Sequence, residues 1–486
     1  MSLLKQAPAP SGMPQPASAG WQELFARNRA LKFTVLAVLG LLLLSLTEQL
    51  ATPITDELAS TGTWSTALGW SVPIMMAGLG GVFAERAGVV NIGLEGMLIL
   101  GTWFGAWGTI EFGPVWGLLV GVIGGALGGL LHAIATVSFG VDHIVSGVAI
   151  NIPATGITRF LSDQIFAAFD GGSLTQSPRV TGAGDFTMPF LAGGRIPGIA
   201  PDGTPDMLGA LERWGALQRT VNPDTGVPED VVNWSWFFVS HGAGILRGFF
   251  LNLSWATLVA YLLIPVSVFV LWKTPFGLRL RSCGEHPVAA DSLGVDVYRY
   301  KYYAVIISGA MAGFGGAFLS VELTGIYKEG QTLGRGFIGL ATVIFGNWKP
   351  VGMAAGALLF GVADTLQLRD RSATHAVLLF LAMALLRIAV WKLFGRSGST
   401  GRNANVNGAF GESSFWAGLS SQQIRSAAIY TVVAVGVGFW YLFTDNVPNQ
   451  LPKVVPHFTV LIVLMIYATR LRMPAADGMR YRRGQQ

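Results

Sequence analysis

Asn91, Gly93, Glu95 and Gly96 sit between two apolar runs in VFAERAGVVNIGLEGMLILG, residues 82–101. The first run stops at Glu85-Arg86, a polar, glycine-containing turn follows, and apolar helix-like sequence then resumes. A helix broken in this way frees backbone groups and helix ends to meet a polar solute. In hydrocarbon it is tolerated where it lines protein or water. The same residues also suit an ordinary polar connection between two helices, and physics alone leans slightly towards that reading. ELTGIYKEGQTLGRGFIGLATVIFGNWKP (322–350) has a comparable pattern, in which Glu329, Gly330, Gly334, Arg335 and Gly336 precede a short apolar run ending at Phe345-Gly346-Asn347-Trp348. Paired breaks in the two halves of a transporter point to a central pathway, although the correspondence here is loose. A third stretch, KTPFGLRLRSCGEHPVAADSLGVDVYRYK (273–301), is basic and carries a short helical patch, His286 to Leu293, between Gly284 and Gly294. Such an elbow could dock into a partner subunit or be a solvated amphipathic connector.

Covalent chemistry finds no support. The chain has no G-x-x-x-x-G-K-[ST] loop for its own ATP and no HExxH helix. His132, His143, His241, His286, His375 and His457 are scattered, and His132 and His457 lie in apolar runs where packing explains them better than ligation. The single cysteine, Cys283, excludes a disulfide framework and a multi-cysteine metal site. No cofactor and no metal are expected in this chain, so function must reside in a pathway and in contacts with partners.

The elements that position these residues are membrane helices. Of the 486 residues 51% are hydrophobic and 12% charged, against about 25% charged in soluble domains. Mean hydropathy is +0.52, which excludes an ordinary cytosolic enzyme. Uncharged stretches fall at 33–47, 65–84, 96–110, 114–138, 144–161, 253–272, 302–321, 336–348, 351–367, 374–394, 427–444 and 454–469. They predict an all-α polytopic bundle of about 10–12 crossings, with 336–348 and 351–367 forming two tilted helices or one re-entrant hairpin. With the N-terminus inside, about two thirds of the 32 Lys and Arg residues fall on the cytoplasmic side, and both termini lie there. The chain divides into a flexible cytoplasmic tail (1–30), a transmembrane domain (31–394), a linker (395–424), further helices (425–470) and a basic cytoplasmic tail (471–486). Residues 162–252 form a long extracytoplasmic loop, either a docking surface or a variable insertion. Glycine-rich runs at 121–129, 308–318 and 351–361 suit close helix packing.

The three stretches together resemble permease subunits of bacterial ABC importers of the branched-chain amino acid, ribose and nucleoside group. FAERAGVVNIGLEGMLILG, CGEHPVAADSLGVDVYRYKYYAVIISGAMAGFGGAFLS, EGQTLGRGFIGLATVIFGNWKPVGMAAGALLFGVADTLQLR and the tail RLRMPAADGMRYRRGQQ are most similar to its nucleoside, or simple-sugar, branch. The resemblance covers roughly 65–165, 253–370 and 451–486; the long outer loop and an insertion near 371–450 depart from it. It implies a type II importer-like permease with pseudo-symmetric halves in the bacterial plasma membrane. Asn91, Gly93, Glu95, Gly96 and Asn151, with Gly334, Arg335, Gly336 and Asn347 from the second half, would belong to the substrate pathway. Arg281, Gly284, Glu285, His286, Pro287, Ala289, Ala290 and Gly294 would couple to the ATPase. The implied partners are an ATP-binding subunit that holds ATP and magnesium, a second permease that is a paralogue, and a lipoprotein that delivers solute; no nucleic acid is involved. The expected solute is a nucleoside, with ribose or another simple sugar as the nearest alternative. An ion-coupled secondary transporter is a rival of another class. Asp142, Glu322 and Asp364, placed at span ends, argue mildly against it.

Overall fold

A computed structural model describes residues 29–50, 58–197, 199–215, 218–221, 228–231, 236–368, 371–394, 421–444, 447–448 and 471–482. In chain order its helices are α1 (Arg29–Leu50), α2 (Thr61–Arg86), α3 (Leu94–Phe112), α4 (Pro114–Ala133), α5 (His143–Gln164), α6 (Met207–Gly215), α7 (Phe237–Gly248), α8 (Trp255–Lys273), α9 (Pro275–Glu285), α10 (Pro287–Ser292), α11 (Val297–Phe318), α12 (Arg335–Phe345), α13 (Pro350–Leu368), α14 (Arg371–Phe394) and α15 (Ser421–Phe443). Among the described residues, six stretches are long and apolar enough to cross a membrane: Thr61–Arg86, Pro114–Ser138, His143–Ala168, Trp255–Lys273, Val297–Leu323 and Ile424–Phe443. The apolar runs at 33–47, 96–110, 351–367 and 374–394 are helical too, as α1, α3, α13 and α14. The chain is a multi-pass helical membrane protein. The run at 454–469, residues 1–28, and the linker apart from 421–424 (the start of α15) lie outside the described residues.

Helix α2 is buried around nearly its whole circumference, as expected of a helix apolar on every side. It starts at Ser60, whose side chain accepts from the Thr63 amide, and ends at Arg86. Helices α11, α12 and α13 pack against it, and α3, α4 and α11 form a second tight group. The glycines of GVIGGALGG on α4 lie against those of SGAMAGFGGAF on α11: a Cβ on Gly125 would overlap the backbone of Gly309 and Gly313. The two glycine-rich runs are thus the two sides of one contact, in which backbones meet directly.

The structure favours the hairpin among the two readings of 336–367 and adds order to the outer segment. The 336–348 run is a short helix. Helix α12 has 11 residues, about 16 Å at 1.5 Å per residue, roughly half the hydrocarbon thickness. It forms a helical hairpin with α13 through a tight turn in which Asn347 and Trp348 both have positive φ, 53° and 55°. Residues 162–252 are not a structureless loop. They contain α6, α7, a hairpin of β2 (Gln218–Val221) with β3 (Pro228–Val231), and β1 (Asp185–Phe186), which pairs with β4 (Leu253–Ser254) just beyond the segment. Arg247 on α7 clamps the unit by binding Asp206 at 2.6 Å and Glu212 at 3.1 Å. Thr61 joins it to α2 by donating to Glu212 at 2.8 Å.

Candidate functional site

The first break, residues 87–93, runs between the end of α2 and the start of α3. Its backbone groups lose their helical partners, and side chains from neighbouring elements replace them. Lys301 Nζ donates to the Gly88 carbonyl at 3.3 Å. The Val90 amide donates to His143 Nδ1 at 3.3 Å. The Val90 carbonyl lies 3.1 Å from His132 Nε2, which must carry the proton to donate there, leaving Nδ1 to accept from the Ser146 hydroxyl at 2.9 Å. Asn151 bridges the remainder: its Nδ2 donates to the Ile92 carbonyl at 3.0 Å, and its Oδ1 accepts from the Gly96 amide at 2.7 Å. Asn91 is fully buried and donates to Ser308 Oγ at 2.9 Å, while its Oδ1 has no protein partner. Gly96 is required by close approach, since a Cβ there would lie 2.9 Å from the Cα of Asn151.

The second break, 324–334, is held in the same way. Residues 175–180 of the outer segment run beside it: Ser177 and Tyr327 exchange backbone and hydroxyl bonds, and the Val180 amide donates to the Gly325 carbonyl at 2.9 Å. Gly334, with φ +78°, opens α12, a conformation that only glycine adopts at little cost.

The two breaks meet at Glu95. Its carboxylate accepts from the Thr332 hydroxyl at 2.6 Å, the Gly334 amide at 3.1 Å and the Gly336 amide at 2.7 Å. A first-turn residue of α3 therefore caps the N-terminus of α12, satisfying orphan amides where the helix dipole favours negative charge. Arg335 donates through Nε and Nη2 to Asp364 at 3.1 and 2.8 Å and lies 4.8 Å over the Trp70 ring. Asp364, in the last turns of α13, is thereby buried beside the first residue of α12. Asn347 is separate from the rest of the expected pathway set. It lies beyond the C-terminus of α12 and accepts from the Arg472 amide at 2.7 Å.

At that end lies the basic elbow, in which the sequence missed helix α9. The expected patch His286–Leu293 is α10, with Pro287 as its first residue, His286 as its N-cap, and Gly294 beyond its end at φ +82°. Arg281 donates to the Leu271 carbonyl at 2.9 Å, and it and Arg86 both lie over the Trp272 ring. Glu285 faces Arg86 at 3.7 Å. Gly284 packs on the backbone of Arg86 and Gly88. Ala289 is exposed, whereas Ala290 is buried with Cys283 and Val297 and forms no part of the outer surface. The exposed apolar side chains of α10 and its end are Val288, 44% exposed, and Leu293, 84% exposed; Leu278 on α9 is 62% exposed. Burial among these groups pushes the Cys283 thiol up to about 11, so it is not a reactive nucleophile.

Residues 64–390, more than half of the chain, match the family of branched-chain amino acid transport system permease components. The chain belongs to that permease family. The guanosine ABC transporter permease NupQ of Bacillus subtilis is 34% identical over 306 residues, covering 62% of this chain and 79% of that protein. The nucleoside ABC transporter permease NupC of Lactococcus lactis is 33% identical, with 61% and 79% covered. A candidate glucose ABC transporter permease of Haloferax volcanii is 32% identical, with 63% and 76% covered. No solved structure matches. As an ABC permease component, the chain works with an ATP-binding subunit, which hydrolyses the ATP, and with a substrate-binding protein.

Several residues of this permease escaped the sequence reading. His132 and His143 hold the first break, and Trp70 carries Arg335. Val288 and Leu293 are the exposed knobs of the elbow. Signals were available for His132, a polar residue in an apolar run, and for Val288 and Leu293, apolar residues in an otherwise polar, basic stretch.

Proposed function

We propose that this permease conducts nucleosides inward through a bacterial plasma membrane, with both termini and the Arg86 end of the bundle cytoplasmic. The observation that carries the reading is the Glu95 junction. Two helix breaks, far apart in sequence, converge on one carboxylate at the start of a helix about half as long as a full crossing needs. Asn91, Gly93, Glu95, Gly96, Asn151, Gly334, Arg335 and Gly336 form the frame of the pathway. Two amide atoms without protein partners, Asn91 Oδ1 and Gln331 Nε2, lie one in each break. Amide groups of this kind suit the hydroxyls of a ribose, and aromatic faces suit a base. The similarity to guanosine and nucleoside permeases supports the same solute class.

The elbow would transmit the ATPase cycle. Val288 and Leu293 project from α10 and its end towards the ATP-binding subunit, while Arg281, Gly284, Glu285, His286, Pro287, Ala289, Ala290 and Gly294 set the helix's position. Asn347, assigned above to the pathway by resemblance, falls with the elbow group. A second permease, a paralogue of this chain, would complete the conduit, and a lipoprotein receptor would load it from outside across 162–252. ATP and magnesium would reside in the ATP-binding subunit. Transport then requires different solute affinity in two states of the assembly, and no covalent step in this chain.

Competition of labelled adenosine uptake in the reconstituted assembly tests the solute class. Unlabelled nucleosides should compete, and free bases and ribose should not. Competition by ribose or glucose alone would favour the second reading, a simple-sugar permease, which the similarity to the Haloferax volcanii protein supports.

A further inference from the structure

The C-terminal tail, 471–482, is separated in sequence from both breaks and from the elbow, yet it is built into the frame that joins them. The Ala476 amide donates to the Gly284 carbonyl at 2.8 Å, at the end of α9. The Ala475 amide lies 3.3 Å from Glu285 Oε2. The Arg472 amide donates to Asn347 Oδ1, in the turn that closes α12. Tyr481 lies against Tyr298, with ring centroids 5.5 Å apart, at the start of α11. Pro474, Ala476 and Asp477 are buried. Gly88 of the first break has φ +80°, and a Cβ there would lie 3.0 Å from the Ala476 carbonyl oxygen and 3.2 Å from the Gly284 Cα. Three backbones thus cross with no side chain between them.

These contacts close a ring. The elbow touches the first break at Gly284 and Gly88, and the first break leads to Glu95. Glu95 holds the start of α12, and the far end of α12 carries Asn347. Asn347 binds the tail, and the tail returns to the elbow. We propose that residues 471–482 are positioning residues of the coupling apparatus, a fixed strut that makes the elbow and the first break move as one body. The strut stays closed throughout the cycle, because opening it would strand the Ala476 and Arg472 amides and separate close-packed backbone. This inference rests on the assignment of the elbow to the ATPase.

Deletion of 471–486 is the direct test, in the full assembly with the ATP-binding subunit and binding protein. The expected result is normal insertion and assembly, continuing ATP hydrolysis, and uptake reduced about tenfold or more, the scale of a typical coupling energy. Ala476→Pro, which removes the amide donor to Gly284, should show the same split if the deleted chain fails to accumulate. A bismaleimide bridge between Tyr298→Cys and Tyr481→Cys, in a Cys283→Ala background, should leave uptake within about twofold, as the strut does not open. Wild-type uptake by the deleted chain or by Ala476→Pro would overturn the proposal, and so would loss of uptake on bridging. Val288→Asp serves as the control. It disturbs the elbow surface without touching the tail, so its failure to affect assembly or uptake would strike the elbow assignment and not the strut.

Discussion

Glu95 shows how one side chain can carry an arrangement that its neighbours in sequence do not reveal. Its carboxylate meets three donors, and Glu95→Gln would place an amide NH2 against at least one of them. The expected cost is about 1–3 kcal/mol at the α12 terminus, the penalty for an unsatisfied buried donor. Uptake per inserted molecule should fall while membrane insertion persists, and normal transport by Glu95→Gln would reduce the junction to packing. Asp477 offers a pH-dependent counterpart outside the spans. Burial pushes its carboxyl up to about 7, although the Gly478 amide and the charges of Lys301 and Arg86 act the other way; Glu85 is the facing acid. The docked tail therefore keeps a proton that a free tail would release. Docking should be strongest near pH 4, weaken as pH rises to about 7, and then level off. Hydrogen-exchange protection in 471–482, corrected for the intrinsic pH dependence of exchange, should fall over that range, and Asp477→Asn should abolish that fall. At this scale the sequence was legible in part. Asn91, Glu95 and Arg335 were selectable from their polar character within apolar surroundings, and Asn151 by resemblance alone. Their roles depend on donors drawn from elements far away in the chain, and no local spacing encodes those. Asn347 was grouped with Gly334 by resemblance, and α12 holds the two at its opposite ends.

Among elements, the long helices were readable because hydropathy alone marks segments that must enter hydrocarbon. The glycine runs on α4 and α11 were readable as packing faces, although their mutual contact was not. Gly125→Ala would drive a methyl group into the Gly309 and Gly313 backbones, with an expected destabilisation of about 1–3 kcal/mol. A thermal shift of the detergent-purified chain checks this: a lowered midpoint is expected, and an unchanged one would mean that the helices separate at no cost. Helix α9 was missed because it is polar, with Arg279, Arg281 and Glu285 on it, and follows α8 directly. The order within 162–252 was missed because it rests on long-range bonds such as Arg247 with Asp206 and Thr61 with Glu212, which leave little periodicity in the sequence.

Across the whole molecule, the meeting of two broken helices at Glu95 is joined to the elbow at one end of the bundle. The helix packing supplies the connection: α2 carries Arg86 beside the elbow, and the first break leads on to Glu95. An ion-coupled carrier would need a titrating acid exposed to its pathway. The buried acids at the two breaks are instead committed: Glu95 to the Thr332 hydroxyl and the Gly334 and Gly336 amides, and Asp364 to Arg335 at 2.8 Å. The measurement that bears most directly on ATP-driven import is nucleoside uptake into proteoliposomes containing the assembled transporter, with ATP supplied to the ATP-binding subunits and ion gradients collapsed by ionophores. Uptake should continue under those conditions and stop when ATP is withdrawn. Accumulation on a proton or sodium gradient alone, without ATP, would contradict it.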